Sequence, residues 1–159
     1  MGQVSQFDKI QAHLAPLRSQ NKKIVFTNGV FDLLHVGHVR YLQEARALGD
    51  ALVIGVNADA SVKRLKGPTR PVQNEQDRAE ILAALACVDF TVIFTEDTPA
   101  NLIQQVKPDI LVKGGDWKVD QIVGAPFVMS YGGQVMSLQF INGKSTTQII
   151  AKAQLETKS

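Results

Sequence analysis

The chain has 159 residues, of which 45% are hydrophobic and 20% are charged, and its formal net charge is +2. This length predicts one domain, residues 1–159, with a core large enough to fold without disulfides, and the single cysteine, Cys87, suits a reducing cytoplasm. The small net charge argues against a dedicated nucleic-acid-binding protein, and no apolar stretch approaches the roughly 20 residues that a membrane span requires.

Short apolar runs alternate with amphipathic stretches along the chain. Apolar residues three and four apart, from Phe7 to Leu17, predict an N-terminal helix over about residues 5–18. A second helix is predicted over Val36–Leu48, and a third begins at an Asn74 cap and ends at Leu85. A fourth helix begins with Thr98 as its cap and Pro99 as its first-turn proline, and the last helix begins at a Ser145 cap. Strands are predicted at Ile24–Phe26, Leu52–Val56, Phe90–Phe94, Ile110–Val112 and Val135–Phe140.

Strands that are apolar on both faces and alternate with helices are typical of a parallel sheet covered on both sides. The predicted fold is therefore α/β, a Rossmann-like doubly wound parallel sheet. Ligands of such sheets bind beyond the carboxyl ends of the strands, so the polar residues after each strand are the candidates for function. The dinucleotide fingerprint GxGxxG is absent after the first strand, which argues against a nicotinamide-dependent oxidoreductase.

The turn after the first predicted strand contains two histidines three residues apart, His35 and His38, with Gly37 between them. On a helix start they share a face, and glycine lets a ligand approach the backbone closely. Free N–H groups and the positive end of the helix dipole favour an anion there, so the pattern predicts a phosphate site. A zinc site and a purely structural pair of histidines are the alternatives.

A second cationic segment, residues 63–70, carries Lys63, Arg64, Lys66 and Arg70. Its glycine and proline predict a loop, and a loop that follows a strand end can fold over a ligand. Lys66 is a candidate for contacting the phosphates of a nucleotide, and Arg70 for gripping a second anionic group. The alternatives are a solvated face and a nucleic-acid contact.

Three further candidates lie near strand ends or a helix start. Ser145, Thr146 and Thr147 begin the last predicted helix and either bind phosphate or cap it; a P-loop is excluded because Leu138 replaces its first glycine. Trp117 either packs in a core or forms a wall for a substrate or base. Asp32 either caps a helix or orients a substrate hydroxyl or hydrated magnesium.

Taken together, residues 27–38, 113–117 and 145–147 resemble the HxGH nucleotidyltransferase superfamily, which includes cytidylyl- and adenylyltransferases. Segments 65–72 and 95–99 resemble the heptose 1-phosphate adenylyltransferases of ADP-heptose biosynthesis within it. The resemblance covers a core of about residues 22–153. It implies that ATP and D-glycero-β-D-manno-heptose 1-phosphate give ADP-heptose and pyrophosphate, for the lipopolysaccharide inner core. A cytidylyltransferase for a small alcohol phosphate such as glycerol 3-phosphate is the alternative enzyme, and a nucleotide sensor without turnover is the alternative of another class.

The resemblance also implies roles for individual residues and partners. His35, His38 and Lys66 are expected to be catalytic. Mg²⁺ is expected as the cofactor, held mainly by phosphates rather than by protein ligands, and a homo-oligomer and a separate heptose kinase are expected as partners. Lys144 departs from the usual uncharged residue before the Ser-Thr-Thr run, and its role stays open. The nucleotide is expected to bind Asn28, Gly29, Phe31, Gly37, Lys113, Gly114, Ser145, Thr146 and Thr147, and the sugar phosphate to bind Asp32, Arg70, Asp116 and Trp117.

Overall fold

The computed structural model describes residues 1–139 and 145–158. In this part of the chain, 3₁₀ turns cover Phe7–Lys9 and Val119–Gln121. The strands are β1 (Gln3–Ser5), β2 (Ile24–Gly29), β3 (Ala51–Asn57), β4 (Phe90–Phe94), β5 (Ile110–Gly114) and β6 (Gln134–Leu138). The helices are α1 (Ile10–Ser19), α2 (Val36–Ala47), α3 (Asp59–Lys66), α4 (Glu75–Ala83), α5 (Ala100–Val106), α6 (Ala125–Ser130) and α7 (Thr146–Lys158).

The six strands form one sheet in the order β1-β4-β3-β2-β5-β6, and every neighbouring pair is parallel. In the register, Phe26 of β2 lies beside Val53 of β3 and Leu111 of β5. The chain winds from β2 through β3 to β4 and then returns to place β5 on the other side of β2. This reversal opens a crevice at the carboxyl end of β2, where ligands of such sheets bind.

Helices cover both faces of the sheet, so the doubly wound Rossmann-like fold is confirmed. Successive β2 residues point to opposite faces: Ile24 and Phe26 pack with α1, α5 and α6, whereas Val25 packs with α2 and α4. Every residue of β3 is buried, as its unbroken apolar run predicts. None of the described helices is both long and apolar enough to cross a membrane.

The predicted loop at residues 63–70 is partly wrong, because Lys63, Arg64 and Lys66 belong to the last turn of α3. Val62 is fully buried and anchors this helix, and Gly67, with φ of 100°, ends it. Basic side chains in the last turn of a helix also interact favourably with its dipole. Only the part from Gly67 onward is a loop.

Other boundaries differ from the predicted ones by a few residues. The Thr98 cap is wrong: the carbonyl of Pro99 accepts the first helical hydrogen bond, from the Ile103 N–H at 2.8 Å, which leaves Thr98 outside α5. The last strand ends at Leu138, and Phe140, its predicted end, lies outside the described residues. Strand β1 and helix α6 have only three and six residues and show no clear periodicity, so the sequence did not predict them.

Candidate functional site

A cleft of about 620 Å³, open to solvent, lies at the carboxyl ends of β2 and β5. We call it the main cleft. It collects residues from β2, the turn that follows, α2, α3, the loop after α3, β5 and α7, which lie far apart in the sequence. Its lining comprises Asn28, Gly29, Val30, Phe31, Asp32, His38, Tyr41, Lys66, Arg70, Lys113, Gly114 and Thr146. Ten of these twelve residues are predicted site residues; Val30 and Tyr41 are not.

The turn after β2 has a backbone conformation that ordinary residues rarely adopt. Phe31 has φ of 49°, in the left-handed region, although it carries a bulky side chain. Its ring lies over Gly29, where an added Cβ would come within 2.9 Å of Phe31 Cε2. The same ring meets the His38 imidazole edge-on, with centroids 5.3 Å apart. Gly29 therefore makes room for the ring that packs against His38.

His35 is the N-cap residue of α2, and its backbone is extended (φ −131°, ψ 171°). Its Nδ1 accepts the Gly37 N–H at 3.1 Å, and Nδ1 of His38 accepts the His35 N–H at 3.4 Å. The two rings are stacked with centroids 3.9 Å apart. An imidazole that accepts through Nδ1 carries its proton on Nε2, so both residues are assigned the Nε2–H tautomer, in which Nε2–H can donate to a ligand.

The electrostatic surroundings of His38 keep it neutral. Burial, followed by the neighbouring His35 and Lys66, lowers the pKa of His38 from 6.5 to about 4. At neutral pH this side chain is therefore a hydrogen-bond donor without a positive charge. His38 can donate to a phosphoryl oxygen but has no spare proton to transfer.

Lys66 and Arg70 form the cationic side of the main cleft. Burial, followed by the charge of Arg70, lowers the pKa of Lys66, and the nearby Asp32 opposes that effect. Arg70 donates through Nε to Asp32 Oδ2 at 2.9 Å, while its buried Nη2 has no hydrogen-bond partner among the described residues. A buried donor of this kind is costly unless an acceptor reaches it.

Asp32 is buried, and both of its carboxylate oxygens are engaged by the protein. Besides Arg70, it accepts the Val72 N–H at 2.9 Å and the Gln73 N–H at 3.0 Å. Burial alone would raise the pKa of Asp32, but the hydrogen bonds from Gln73, Val72 and Arg70 outweigh it and lower the pKa below 3.8. Asp32 thus holds the segment Arg70–Gln73 against the turn after β2, a contact that the sequence did not predict.

The end of β5 supplies Lys113 and Gly114, and burial lowers the pKa of Lys113. Lys113 Nζ lies over the Trp117 ring, 5.6 Å from its centroid, at a distance typical of a cation–π contact. Trp117 lies outside the main cleft and is 48% exposed. Asp116 is exposed and lines neither cavity at this edge. A side cavity of about 340 Å³ adjoins the main cleft and is lined by Asn28, Pro99, Lys113, Trp117, Gln121, Ile122 and Val123.

The start of α7 brings its hydroxyl groups to the same edge of the sheet. Thr146 lines the main cleft and donates to the Leu33 carbonyl at 2.8 Å, which joins α7 to the turn before α2. Ser145 accepts the Gln148 N–H at 3.1 Å and so caps the helix, as predicted. Thr147 is exposed and does not line the cleft. Lys144 lies outside the described residues.

Besides Val30, two residues that contribute to this site were not predicted from the sequence. Tyr41 lines the main cleft and shares a 2.6 Å hydrogen bond with Thr27 Oγ1; burial raises its pKa to about 12. Arg78, on α4, is fully buried and donates to the carbonyl of Gln73 and to that of Val30, which lines the cleft. One feature of the sequence indicates that Arg78 is buried: it lies four residues before Leu82 and therefore shares the buried face of a helix with it.

The zinc alternative for His35 and His38 finds no support: within residues 1–139 and 145–158, no three His, Cys, Asp or Glu side chains come together to hold a metal ion. The donors that face the main cleft are instead amide, imidazole, ammonium and guanidinium N–H groups. Such a set favours phosphate oxygens.

The sequence of this chain matches known proteins. The sequence model of the cytidylyltransferase-like family matches residues 26–152. The chain is 54% identical over 149 residues to the bifunctional protein HldE of Geobacter sulfurreducens and 59% identical over 135 residues to that of Syntrophotalea carbinolica. These matches cover 94% and 85% of this chain, but only 30% and 28% of the two relatives.

Two solved structures resemble the fold. The lipopolysaccharide core biosynthesis protein of Thermoplasma volcanium is 32% identical with a TM-score of 0.62, and the match covers 77% of this chain and 99% of that one. The pantoate-β-alanine ligase of Francisella tularensis, solved with β,γ-ATP and β-alanine, is 18% identical with a TM-score of 0.63. That match covers 97% of this chain and 77% of the ligase, and it bears on the fold alone.

Proposed function

Because the chain belongs to the cytidylyltransferase-like family, we propose that it transfers the adenylyl group of ATP to D-glycero-β-D-manno-heptose 1-phosphate. The products are ADP-heptose and pyrophosphate. High identity to bifunctional protein HldE over most of this chain supports the proposal, as does the likeness to a lipopolysaccharide core biosynthesis protein.

The observation that carries the proposal is the charge of the main cleft. Among the described residues, Lys66, Arg70 and Lys113 give it positive charge, His38 adds a neutral donor, and Asp32, the one carboxylate that lines it, is already paired with Arg70 and two backbone N–H groups. A triphosphate and a sugar phosphate together bring several negative charges into one place. A cleft lined by ammonium, guanidinium and imidazole donors stabilises both substrates and the charge that develops between them.

This reaction depends on the positioning of the two substrates rather than on general acid or base catalysis. A phosphate oxygen of the sugar 1-phosphate attacks the α-phosphorus of ATP, and the bond from that phosphorus to the α–β bridging oxygen breaks. Pyrophosphate leaves with the electron pair, and no proton has to move. A neutral His38 that donates through Nε2 to an α-phosphoryl oxygen fits this step, with its ring held by Phe31 and by the stacked His35.

The remaining predicted residues take roles that follow from their positions. Lys66 neutralises the attacking phosphate. The buried Nη2 of Arg70, which has no hydrogen-bond partner among the described residues, donates to an oxygen atom of the substrates. Thr146 and the start of α7 face the β- and γ-phosphates. The substrate contact by Asp32 remains a prediction; its hydrogen bonds to Arg70 and to the Val72 N–H also give it the role of positioning Arg70. Nucleotide contacts by Asn28, Gly29, Gly37, Gly114, Ser145 and Thr147, and sugar-phosphate contacts by Asp116 and Trp117, remain predictions.

Mg²⁺ belongs to the substrate in this proposal, bound to the triphosphate as MgATP. Among the described residues that line the main cleft, the one carboxylate is Asp32, whose oxygens already accept hydrogen bonds from the protein, so phosphate oxygens and water are the expected ligands of Mg²⁺. The homo-oligomer, the separate heptose kinase that supplies the sugar phosphate and the cytoplasmic location remain predictions as well.

The test is pyrophosphate release by the purified chain, with ATP or CTP combined with heptose 1-phosphate or glycerol 3-phosphate. We expect turnover with ATP and heptose 1-phosphate; preference for CTP and glycerol 3-phosphate would replace the proposal with the alternative. His38→Ala should lower kcat by about 10²–10³, the usual effect of removing one preorganised donor. His13→Ala, on α1 and outside the main cleft, is the matched control and should keep wild-type turnover.

A further inference from the structure

Arg78 holds three different parts of the chain together from a fully buried position. Its Nη1 donates to the Val30 carbonyl at 2.7 Å and its Nε to the Gln73 carbonyl at 3.0 Å. Its Nη2 donates to Asp59 Oδ1 at 2.8 Å, and that carboxylate, on α3, supplies the opposite charge. Nε, Nη1 and Nη2 each have one of these acceptors, and guanidinium geometry allows all three bonds at once.

The two carbonyls belong to two chain segments that contribute side chains to the main cleft. Val30 lines the cleft and precedes Phe31, whose ring packs on His38. Gln73 ends the segment that begins at Lys66 and includes Arg70, and its own N–H is held by Asp32. Arg78, together with Asp32, therefore links the segment whose Phe31 ring packs on His38 to the segment that carries the cations.

The turn next to Val30 needs such support. A bulky residue with φ of 49° costs free energy, and this conformation persists only where neighbouring contacts hold it. Arg78 holds the carbonyl before Phe31, and Asp32, the residue after it, is tied to Arg70 and the 72–73 backbone. A buried guanidinium is itself expensive, and an apolar side chain of similar size is often at least as stabilising. The advantage of the Arg78 guanidinium is geometric, because an apolar side chain has no N–H group to donate to the Val30 and Gln73 carbonyls.

We propose that Arg78 is a positioning residue for nucleotidyl transfer, which sets the position of His38 relative to Lys66 and Arg70 in the main cleft. The inference rests on the proposed function. It assigns Arg78 no contact with substrate; its effect passes through the Val30 and Gln73 carbonyls. Losing it should therefore reduce transfer by more than the accompanying loss of stability explains.

The first experiment compares Arg78→Lys with Leu82→Ala. Lysine keeps the charge opposite Asp59, but a single ammonium cannot reach both carbonyls in the fork geometry. Leu82 is fully buried one turn further along α4 and lines neither cavity, so its truncation lowers stability without touching the cleft. At a temperature where both variants are folded, we expect kcat/KM of Arg78→Lys to fall about tenfold to hundredfold, mainly through kcat. Leu82→Ala should stay close to wild type.

The second experiment follows the His38 imidazole by NMR as a function of pH and needs no substrate. The charged and titratable groups around His38 are His35, stacked on it, and Lys66. Arg70, Asp32, Lys113 and Tyr41 line the same cleft. In the wild type, burial lowers the pKa of His38 to about 4. If Arg78→Lys loosens the cleft, the His38 pKa should move back towards 6.5, whereas Leu82→Ala should leave it in place.

The outcomes separate the proposal from its alternatives. Wild-type kcat/KM in Arg78→Lys, or an equal loss in Leu82→Ala, would show that Arg78 only contributes stability. The same conclusion follows if Arg78→Lys and Arg78→Gln fail to fold while Leu82→Ala folds. A wild-type chain inactive on every nucleotide and sugar phosphate would overturn the proposed function, and the His38 titration would still decide whether Arg78 positions that residue.

Discussion

The neutral state of His38 makes the stability of this protein depend on pH in a predictable direction. Its pKa is about 4 in the folded chain, because of burial and then of His35 and Lys66, against 6.5 for an unperturbed histidine. Between these values the unfolded chain binds a proton on His38 that the folded chain does not. The free energy of unfolding should therefore be highest above pH 6.5 and should fall as the pH drops towards 4.

The size of the effect follows from the two pKa values. At about 1.36 kcal/mol per pH unit, their difference corresponds to roughly 3 kcal/mol. The imidazole is partly exposed, so solvent screening reduces this to about 1–2 kcal/mol. The lowered pKa of Asp32 places its own contribution below pH 3.8, outside the window. The lysines of the main cleft have an ordinary value of 10.5, so their lowered pKa values affect only alkaline pH.

The assay is urea unfolding of the wild type and of His38→Asn at about pH 7 and about pH 4.5. The wild type should lose about 1–2 kcal/mol more than His38→Asn between these two conditions. His13→Asn, which removes a histidine of α1, should keep that extra loss. Equal pH dependence in the wild type and His38→Asn, or a steeper loss in His38→Asn, would refute the neutral histidine and the donor role built on it.

Three further predictions concern residues that shape the main cleft. Asp32→Asn should lower the free energy of unfolding by about 1–3 kcal/mol at neutral pH, because Arg70 loses its charged partner; an unchanged urea midpoint would contradict this. Gly29→Ala should cost about 1–3 kcal/mol, since the new Cβ would lie 2.9 Å from the Phe31 ring; a crystal structure with that ring unmoved would refute it. Tyr41→Phe should cost about 1 kcal/mol through loss of the 2.6 Å bond to Thr27, and equal thermal stability of the two proteins would count against that bond.

Local patterns predicted much of the fold, because the chain signals its buried strands directly. The run Leu52–Val56 is apolar on both faces, and all of β3 is buried in the sheet. Asn74 and Ser145 cap α4 and α7 as predicted, since the side-chain oxygen of such a residue reaches the backbone N–H three residues on. By contrast, the helical nature of Lys63–Lys66 depends on the burial of Val62, which no local rule reveals.

The candidate site, like the fold, was predicted only in part from the sequence. Because polar side chains at the carboxyl ends of parallel strands meet at one edge, the sequence by itself was enough to predict His38, Lys66 and Lys113 near a common cleft. It could not decide what Asp32 and Arg78 do. Asp32 and Arg70 are 38 residues apart and Arg78 and Val30 are 48 apart, and such contacts exist only after the sheet has brought those segments together. Residue type and spacing thus determined the chemistry available at this edge, whereas tertiary packing decided which charged groups face the ligand and which hold the cleft in shape.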